Sequence, residues 1–332
     1  MKQISIIIPA YNEEKFIADC LKSVYNQDYP KDKMEVIVVD GHSTDKTAEI
    51  VRREFPEVIL LENPDKIVPI SMNMGIKKAK GDYIVRLDAH AEYPFDYLSR
   101  LINAIQLYKA DNVGALFKTL PADEKNKSIS IAKAMSCKFG MGNSAHRVGI
   151  TECKEVDTVP YGCFPRNLFD RIGYFDEELI RNQDDEFNAR IIKNGGKIYL
   201  LPDLEIEYYA RDSIKKVSKM FFQYGLFKPL VNKKIGKPTS FRQFMPPAFV
   251  LGLLLGFFFC LLWPWFNYLY LFGISLYILL DIAASIKEAK SFQEFLYLLV
   301  IFPVIHFSYG WGYLRGILKI LFKCSFAAEI NR

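Results

Sequence analysis

The chain has 332 residues, half of them hydrophobic, with 43 Lys and Arg against 38 Asp and Glu for a formal net charge of +5. This composition excludes an intrinsically disordered chain, a collagen-like one and a disulfide-stapled secreted module. The charge is uneven: residues 244–280 are 37 positions without Asp, Glu, Lys or Arg and residues 295–314 another 20, while residues 211–242 hold nine bases against one acid.

The first 120 residues alternate two periodicities. Gln3–Ile8 is a continuous apolar run closed by Pro9, the pattern of a buried strand. Over Glu14–Asn26, Phe16, Ile17, Cys20, Leu21 and Val24 recur at helical spacing. Met34–Val39 reads as a second strand ending at Asp40, and Ser43 or Thr44 can cap a helix over Asp45–Phe55. A third strand (Val58–Leu61), a helix (Ile70–Lys80) and a fourth strand (Tyr83–Leu87) follow, the last ending at Asp88. Strands alternating with helices of this length imply an α/β fold with a mostly parallel sheet, which takes ligands at the carboxyl ends of its strands. Asp40 and Asp88 stand at two such ends.

From Thr119 to Val156 the pattern weakens, and an insertion or acceptor-side region is expected. Gly140–Ala145 fits G-x-G-x-x-A, but a helical pattern precedes it rather than a strand, so it is not read as a dinucleotide site. The six cysteines (20, 137, 153, 163, 260 and 324) contain no C-x-x-C pair and read as free thiols rather than a zinc site.

The apolar tail holds about three expected spans, near Pro247–Trp263, Tyr268–Ala284 and Phe295–Leu314, with a turn at Pro264–Asn267. Trp263, Trp265, Tyr268 and Tyr270 form an interfacial aromatic belt. The basic run just before the tail suits anionic lipid or a lipid-linked phosphate. It abuts a span and lacks a base-reading fold, so a nucleic-acid partner is not expected. Ile4–Ile8 is too short for a signal sequence before Asn12-Glu13-Glu14, which places the N-terminal domain in the cytoplasm of a multi-pass protein. Three crossings would leave Lys319, Lys323 and Arg332 outside, against the positive-inside rule, unless the last segment is re-entrant, broken at Pro303, or interfacial. The domains expected are residues 1–210, a basic juxtamembrane segment 211–243, and transmembrane helices 244–332.

Pro9-Ala10-Tyr11-Asn12-Glu13-Glu14, Val38-Val39-Asp40-Gly41-His42-Ser43-Thr44-Asp45 and Arg86-Leu87-Asp88-Ala89-His90 fall in order after three of the strands. Together they resemble glycosyltransferase family 2, the inverting, nucleotide-sugar-dependent group with a GT-A fold. Asn182–Arg190 resembles its E-D-x-x-L-x-x-R signature, with Gln183 replacing the first Glu. Asp88–Pro94, Val156-Asp157-Thr158-Val159 and Gln223-Tyr224-Gly225 are similar to the succinoglycan-type membrane glucosyltransferases.

Such a donor site must grip a base, a ribose and a diphosphate. Tyr11 offers an aromatic face, Asn12 and Glu13 offer polar groups, and Asp40 can accept a uracil imide N–H. Pro9, Tyr11, Glu13, Asp40, Arg86 and Asp88 make up the expected donor-nucleotide set. By the resemblance Asp88 and His90 occupy the D-x-D metal position, where a divalent metal, Mn2+ or Mg2+, would carry the leaving-group charge. An imidazole in place of the second carboxylate suits Mn2+ better than Mg2+. The signature frame gives Asp184 as general base, with Asp185 as the alternative, since neighbouring helix residues point about 100° apart. Arg190, Arg211, Lys215, Gln223 and Tyr224 are the expected acceptor or phosphate contacts. The resemblance implies a hexose moved from UDP-glucose to a polyprenyl-linked saccharide for surface or extracellular polysaccharide. A transferase acting on polyprenyl phosphate itself, or an inert membrane scaffold of the same fold, are the alternatives.

Overall fold

Ile4, Ile6, Ile7 and Ile8 are fully buried in β1 (Ile4–Ala10), so this strand is covered on both faces, as a central parallel strand must be. The computed structural model describes residues 1–326. Along the chain, α1 (Ile17–Tyr25), β2 (Met34–Asp40), α2 (Thr47–Glu54), β3 (Ile59–Glu62), α3 (Val68–Lys78), β4 (Tyr83–Arg86), α4 (Tyr97–Leu107) and β5 (Asn112–Leu120) follow β1. Three short helices come next, α5 (Asn126–Ala134), α6 (Lys138–Met141) and α7 (Ala145–Val148), then β6 (Lys154–Glu155), β7 (Cys163–Pro165), α8 (Asn167–Ile172), α9 (Gln183–Lys193) and β8 (Ile198–Tyr209). Four long helices close the described chain: α10 (Ile214–Ile235), α11 (Met245–Leu262), α12 (Phe266–Glu288) and α13 (Phe292–Leu321).

Two compact units result, residues 1–118 with 149–208, and residues 119–148 with 209–332. The first is built on a sheet of order β3-β2-β1-β4-β7-β5-β8-β6, eight strands among the described residues. β3, β2, β1 and β4 run parallel, whereas β7 pairs antiparallel with β4 and β5. This is the mixed, mostly parallel GT-A sheet. Gly75 lets α3 lie directly on β1, because a Cβ there would come within 2.6 Å of Ile7 Cγ2. Each Ile, Leu or Val buried here contributes roughly 1.5–3 kcal/mol.

The second unit carries the apolar tail. The segment 119–148, expected within the first domain, packs here: Phe139 meets Phe302 edge-on at 5.0 Å, and Lys133 donates to Glu294 at 2.6 Å. α11, α12 and α13 are each long and apolar enough to cross a membrane. α13 runs from residue 292 to 321 straight through Pro303, so a re-entrant segment broken there, one of the two alternatives for this segment, is not what forms. Burial of Ile301, Phe302 and Ile305 around the proline offsets the roughly 3 kcal/mol that its missing N–H costs. Gly140 lies in α6, so the G-x-G-x-x-A stretch opens no strand–helix unit.

Candidate active site

The loops after β1 and β2 are bonded together. Asn12, at φ 58°, donates its N–H to Ser43 Oγ at 2.9 Å and accepts the Thr44 N–H on Oδ1 at 2.8 Å. Thr47 Oγ1 accepts the Glu13 N–H at 2.8 Å. Ser43 and Thr44 are therefore not the cap of α2 as expected. Asp45 Oδ1 accepts the Thr47 N–H instead, at 2.9 Å, and Ser43 and Thr44 serve the loop junction. Asp40 is buried, receiving the Ser43 N–H at 3.0 Å and its hydroxyl at 2.5 Å. Pro9 lies inside β1, opposite Val39 in the parallel register, so it shapes the strand beneath Tyr11. The turn after β3 brings Lys66, itself at φ 60°, over the Tyr11 ring with Nζ 5.5 Å from its centroid.

One strand over, β4 delivers Arg86 and Asp88. Tyr93 fixes the Asp88 backbone, its hydroxyl accepting the Asp88 N–H at 2.6 Å. His90 Nδ1 lies 2.7 Å from Asp88 Oδ1 and 3.5 Å from Glu13 Oε1. Burial pushes the Asp88 carboxyl up, but the hydrogen bond and charge of His90, and then Arg86, outweigh it and leave it lowered. Burial opposes the His90 charge, yet the bonds to Asp88 and Glu13 raise His90 to about 10. Among the described residues no three His, Cys, Asp or Glu side chains could hold a metal by themselves. The Asp88–His90 pair nonetheless fits a divalent cation as a two-donor site, because a carboxylate oxygen and an imidazole nitrogen converge to 2.7 Å.

Arg86, two residues before Asp88, lies close enough for its charge to act on that carboxyl. It is 6% exposed, sits against the Tyr161 ring at 5.6 Å, and forms an ion pair through NH1 with Asp184 Oδ1. Its Nε is buried with no hydrogen-bond partner. Asp184 lies in the first turn of α9, whose start is set by Asn182 in the left-handed region at φ 61°. Burial raises the Asp184 carboxyl, Arg86 lowers it, and the charges of Asp185 and Asp88 add to the rise, leaving it raised. α9 is held in place by Asn188, which donates to Thr158 Oγ1 at 2.8 Å and to the Val159 carbonyl at 3.0 Å. The Val156–Val159 motif is thereby the seat of α9.

Glu13, His90 and Asp88 are thus in direct contact, as are Arg86 and Asp184, and the Arg86 charge reaches Asp88, with Asp40 at the end of β2 and Tyr11 on the adjoining loop. Arg190 is not among them. Its guanidinium grips both oxygens of Glu186, at 2.9 and 2.7 Å, and the Ile172 carbonyl at 2.7 Å, so it clamps α9 rather than presenting charge to an acceptor. Arg211, Lys215, Gln223 and Tyr224 belong to the second unit. Arg211 and Lys215 are exposed, but Gln223 is 4% exposed inside the helix packing, and Tyr224 packs edge-on against Phe221. Sequence reasoning missed Lys66 and Tyr161, which the fold brings to the site from outside the signature frames, and gave no role to Tyr93, which lies within the Asp88–Pro94 motif. A groove of about 660 Å³ lined by Tyr25, Lys31, Glu35 and Phe55 lies at the amino ends of β2 and β3 and holds none of these residues.

Residues 5–153 match the family model "Glycosyl transferase family 2". Over 96% of its length the chain is 32% identical to the dolichyl N-acetyl-alpha-D-glucosaminyl phosphate 3-beta-D-2,3-diacetamido-2,3-dideoxy-beta-D-glucuronosyltransferase of Methanococcus voltae, covering 98% of it. It is 30% identical to the succinoglycan biosynthesis protein ExoA of Rhizobium meliloti, over 73% of this chain and 74% of that one. The mannosyltransferase PcManGT from Pyrobaculum calidifontis, solved with GDP-Man and Mn2+, superposes with a TM-score of 0.57 at 20% identity, over 97% of this chain and 88% of that one. The Staphylococcus aureus TarS fragment solved with UDP gives 0.50 at 22% identity, over 67% of this chain and 64% of that one. At those identities the two structures show the shared GT-A fold. The chain belongs to glycosyltransferase family 2 and is a glycosyltransferase.

Proposed function

We propose that this family 2 glycosyltransferase moves a hexose, with inversion, from a nucleotide sugar to a polyprenyl-linked saccharide at a membrane surface, and that UDP-glucose is its donor. The observation that carries the reading is the pair of contact groups Glu13–His90–Asp88 and Arg86–Asp184, coupled by the Arg86 charge acting on Asp88. It sets a candidate phosphate-side pair and a candidate base at neighbouring positions on the carboxyl edge of β1, β2 and β4. Among relatives, the Methanococcus voltae protein is named for a dolichyl phosphate sugar acceptor and ExoA for succinoglycan synthesis, which supports a lipid-linked saccharide here.

In this mechanism Tyr11 and Lys66 frame the base, Asp40 accepts its imide N–H, and Glu13 faces the ribose. Asp88 and His90 would hold a divalent metal, Mn2+ by their mixed oxygen and nitrogen donors, and the ion would supply Lewis-acid neutralisation of the diphosphate. Asp184 takes the proton of the acceptor hydroxyl as it attacks the anomeric carbon from the face opposite the leaving group. Arg86 holds that carboxylate in place. Burial and then the Asp88 charge push the Tyr161 phenol well above its ordinary value, so it remains a neutral hydrogen-bond donor beneath the site. Exposed Lys215, with the other bases of α10, supplies positive charge for acceptor phosphates. The protein is multi-pass, and its first unit faces the cytoplasm with the basic segment.

The test is product analysis. Full-length protein with labelled UDP-glucose and a polyprenyl diphosphate-linked sugar is expected to give a lipid-linked disaccharide whose new bond is β. Product confined to polyprenyl phosphate, carrying one sugar, would assign the enzyme to monosaccharide-lipid synthesis instead.

A further inference from the structure

We infer that α13 lies along the membrane surface beside α10, and that only the α11–α12 hairpin crosses the bilayer. Length and composition make α13 a candidate span, but its exposure pattern differs from those of the other two helices. In α12, Ile278, Leu279 and Leu280 are exposed at consecutive positions, so lipid surrounds that helix. On α13 the exposed apolar residues Phe292, Leu296, Tyr297, Val300, Phe307, Trp311, Ile317, Leu318 and Leu321 fall on one broad side at helical spacing, a stripe along its whole length. A helix of 30 residues is about 45 Å long, against about 30 Å of hydrocarbon. A single full-length stripe is what an in-plane amphipathic helix presents to lipid.

The rest of α13 is covered along its length, in the middle by the hairpin itself, where a Cβ on Gly310 would overlap the Pro246 carbonyl and the Tyr277 hydroxyl meets His306 Nδ1 at 2.9 Å, and otherwise by polar-bearing segments. Asn126 donates to Gln293 at 2.5 Å, Lys133 to Glu294 at 2.6 Å, and His306 Nε2 meets the Phe139 carbonyl at 2.8 Å. Beyond that point α10 takes over. Ser218 bonds Ser308 at 2.8 Å, and a Cβ on Gly312 or Gly316 would overlap the carbonyls of Phe222 and Leu226. Partners advance together, 218 with 308, 222 with 312 and 226 with 316, so the two helices run parallel and in contact. α10 bears Lys215, Lys216 and Lys219 near one end and Lys233 and Lys234 near the other, with Lys228 between them. Such a helix cannot sit in hydrocarbon, and α13, locked beside it, cannot cross while α10 stays at the surface. The chain also passes into this unit twice at one place, where the Ala210 N–H donates to the Leu120 carbonyl at 2.8 Å. α5 and α10 therefore set out from the same level. Two crossings return Lys319 and Lys323 to the side of the α10 lysines, in keeping with the positive-inside rule.

Native Cys324 is exposed and reports the outcome directly. In sealed membranes of known sidedness carrying the full chain, an impermeant maleimide is expected to reach Cys324 only from the side that reaches Lys215→Cys. Asn267→Cys, at the hairpin turn, is expected to label only from the other side, and Cys324→Ser identifies the Cys324 adduct. Spin labels on Leu296→Cys, Phe307→Cys and Leu318→Cys are expected to report similar, shallow depths. Labelling of Cys324 from the side of Asn267→Cys, or a passage of the spin labels through the bilayer centre, would overturn the inference.

Discussion

Arg86, at the end of β4, and Asp184, in the first turn of α9, are 98 positions apart in sequence and meet in an ion pair close enough to Asp88 for its charge to bear on both. Two residues at and just past the end of β4 thereby serve neighbouring parts of the candidate site: Arg86 secures the candidate base, and Asp88 serves the candidate phosphate side.

That pairing sets a pH dependence. Asp184 acts when ionised, and burial holds its carboxyl above the ordinary range, so kcat/KM is expected to fall as pH drops through that raised value. Arg86→Gln removes the hydrogen bond and charge that lower it, and the acid limb is expected to move to higher pH. Arg86→Lys, which keeps the charge, is expected to move it less. Rate profiles of the three proteins across pH 4–9 check this; an unmoved limb in Arg86→Gln would refute the pairing's role.

At Asp88 and His90, a bound ion must displace the proton that His90, raised to about 10, otherwise carries. Affinity for Mn2+ is therefore expected to rise with pH over the neutral range, and EDTA to abolish turnover. His90→Asp is expected to shift the preference from Mn2+ towards Mg2+, since an all-oxygen site suits the harder ion. Metal titrations of wild type and variant decide it.

The α10–α13 contact depends on glycine. A Cβ on Gly225 would overlap the Tyr309 carbonyl and lie 2.9 Å from the Tyr313 nitrogen, whereas one on Gly252 meets nothing within 4 Å. Gly225→Ala is expected to cost about 1–3 kcal/mol by overpacking, and Gly252→Ala to cost nothing. Thermal unfolding in detergent measures the difference.

Exposed Lys215, and Lys216, which reaches Asp212 at 2.7 Å, carry the proposed acceptor charge. Changing both to Glu is expected to reduce transfer to a lipid acceptor at least tenfold while leaving nucleotide-sugar binding intact. Equal loss of both would point to misfolding, and loss of neither would remove these lysines from the acceptor site.

Much of this was legible in the sequence because it is local. The apolar runs of β1, β2 and β4, each closed within a residue or two by Pro9, Asp40 or Asp88, announce a parallel sheet and its ligand edge. What was not legible depends on tertiary contacts. Nothing near Arg86 in the sequence says that it meets Asp184, or that Tyr161 lies beneath it. Ser43 and Thr44 look like helix caps until Asn12, from another strand, claims their loop. Arg190 fits the family signature, but Glu186 one turn earlier consumes its guanidinium. The 119–148 segment has weak periodicity because much of its packing surface is supplied by α13, more than 150 residues later.

The most direct test of the central claim is donor turnover by detergent-solubilised full-length protein, with Mn2+ or EDTA and a panel of UDP-, GDP- and CDP-sugars. The account predicts slow, metal-dependent hydrolysis of one UDP-hexose, lost by about 100-fold or more in Asp184→Asn while nucleotide binding persists. Full turnover in Asp184→Asn would contradict it, as would an absence of nucleotide binding with every donor.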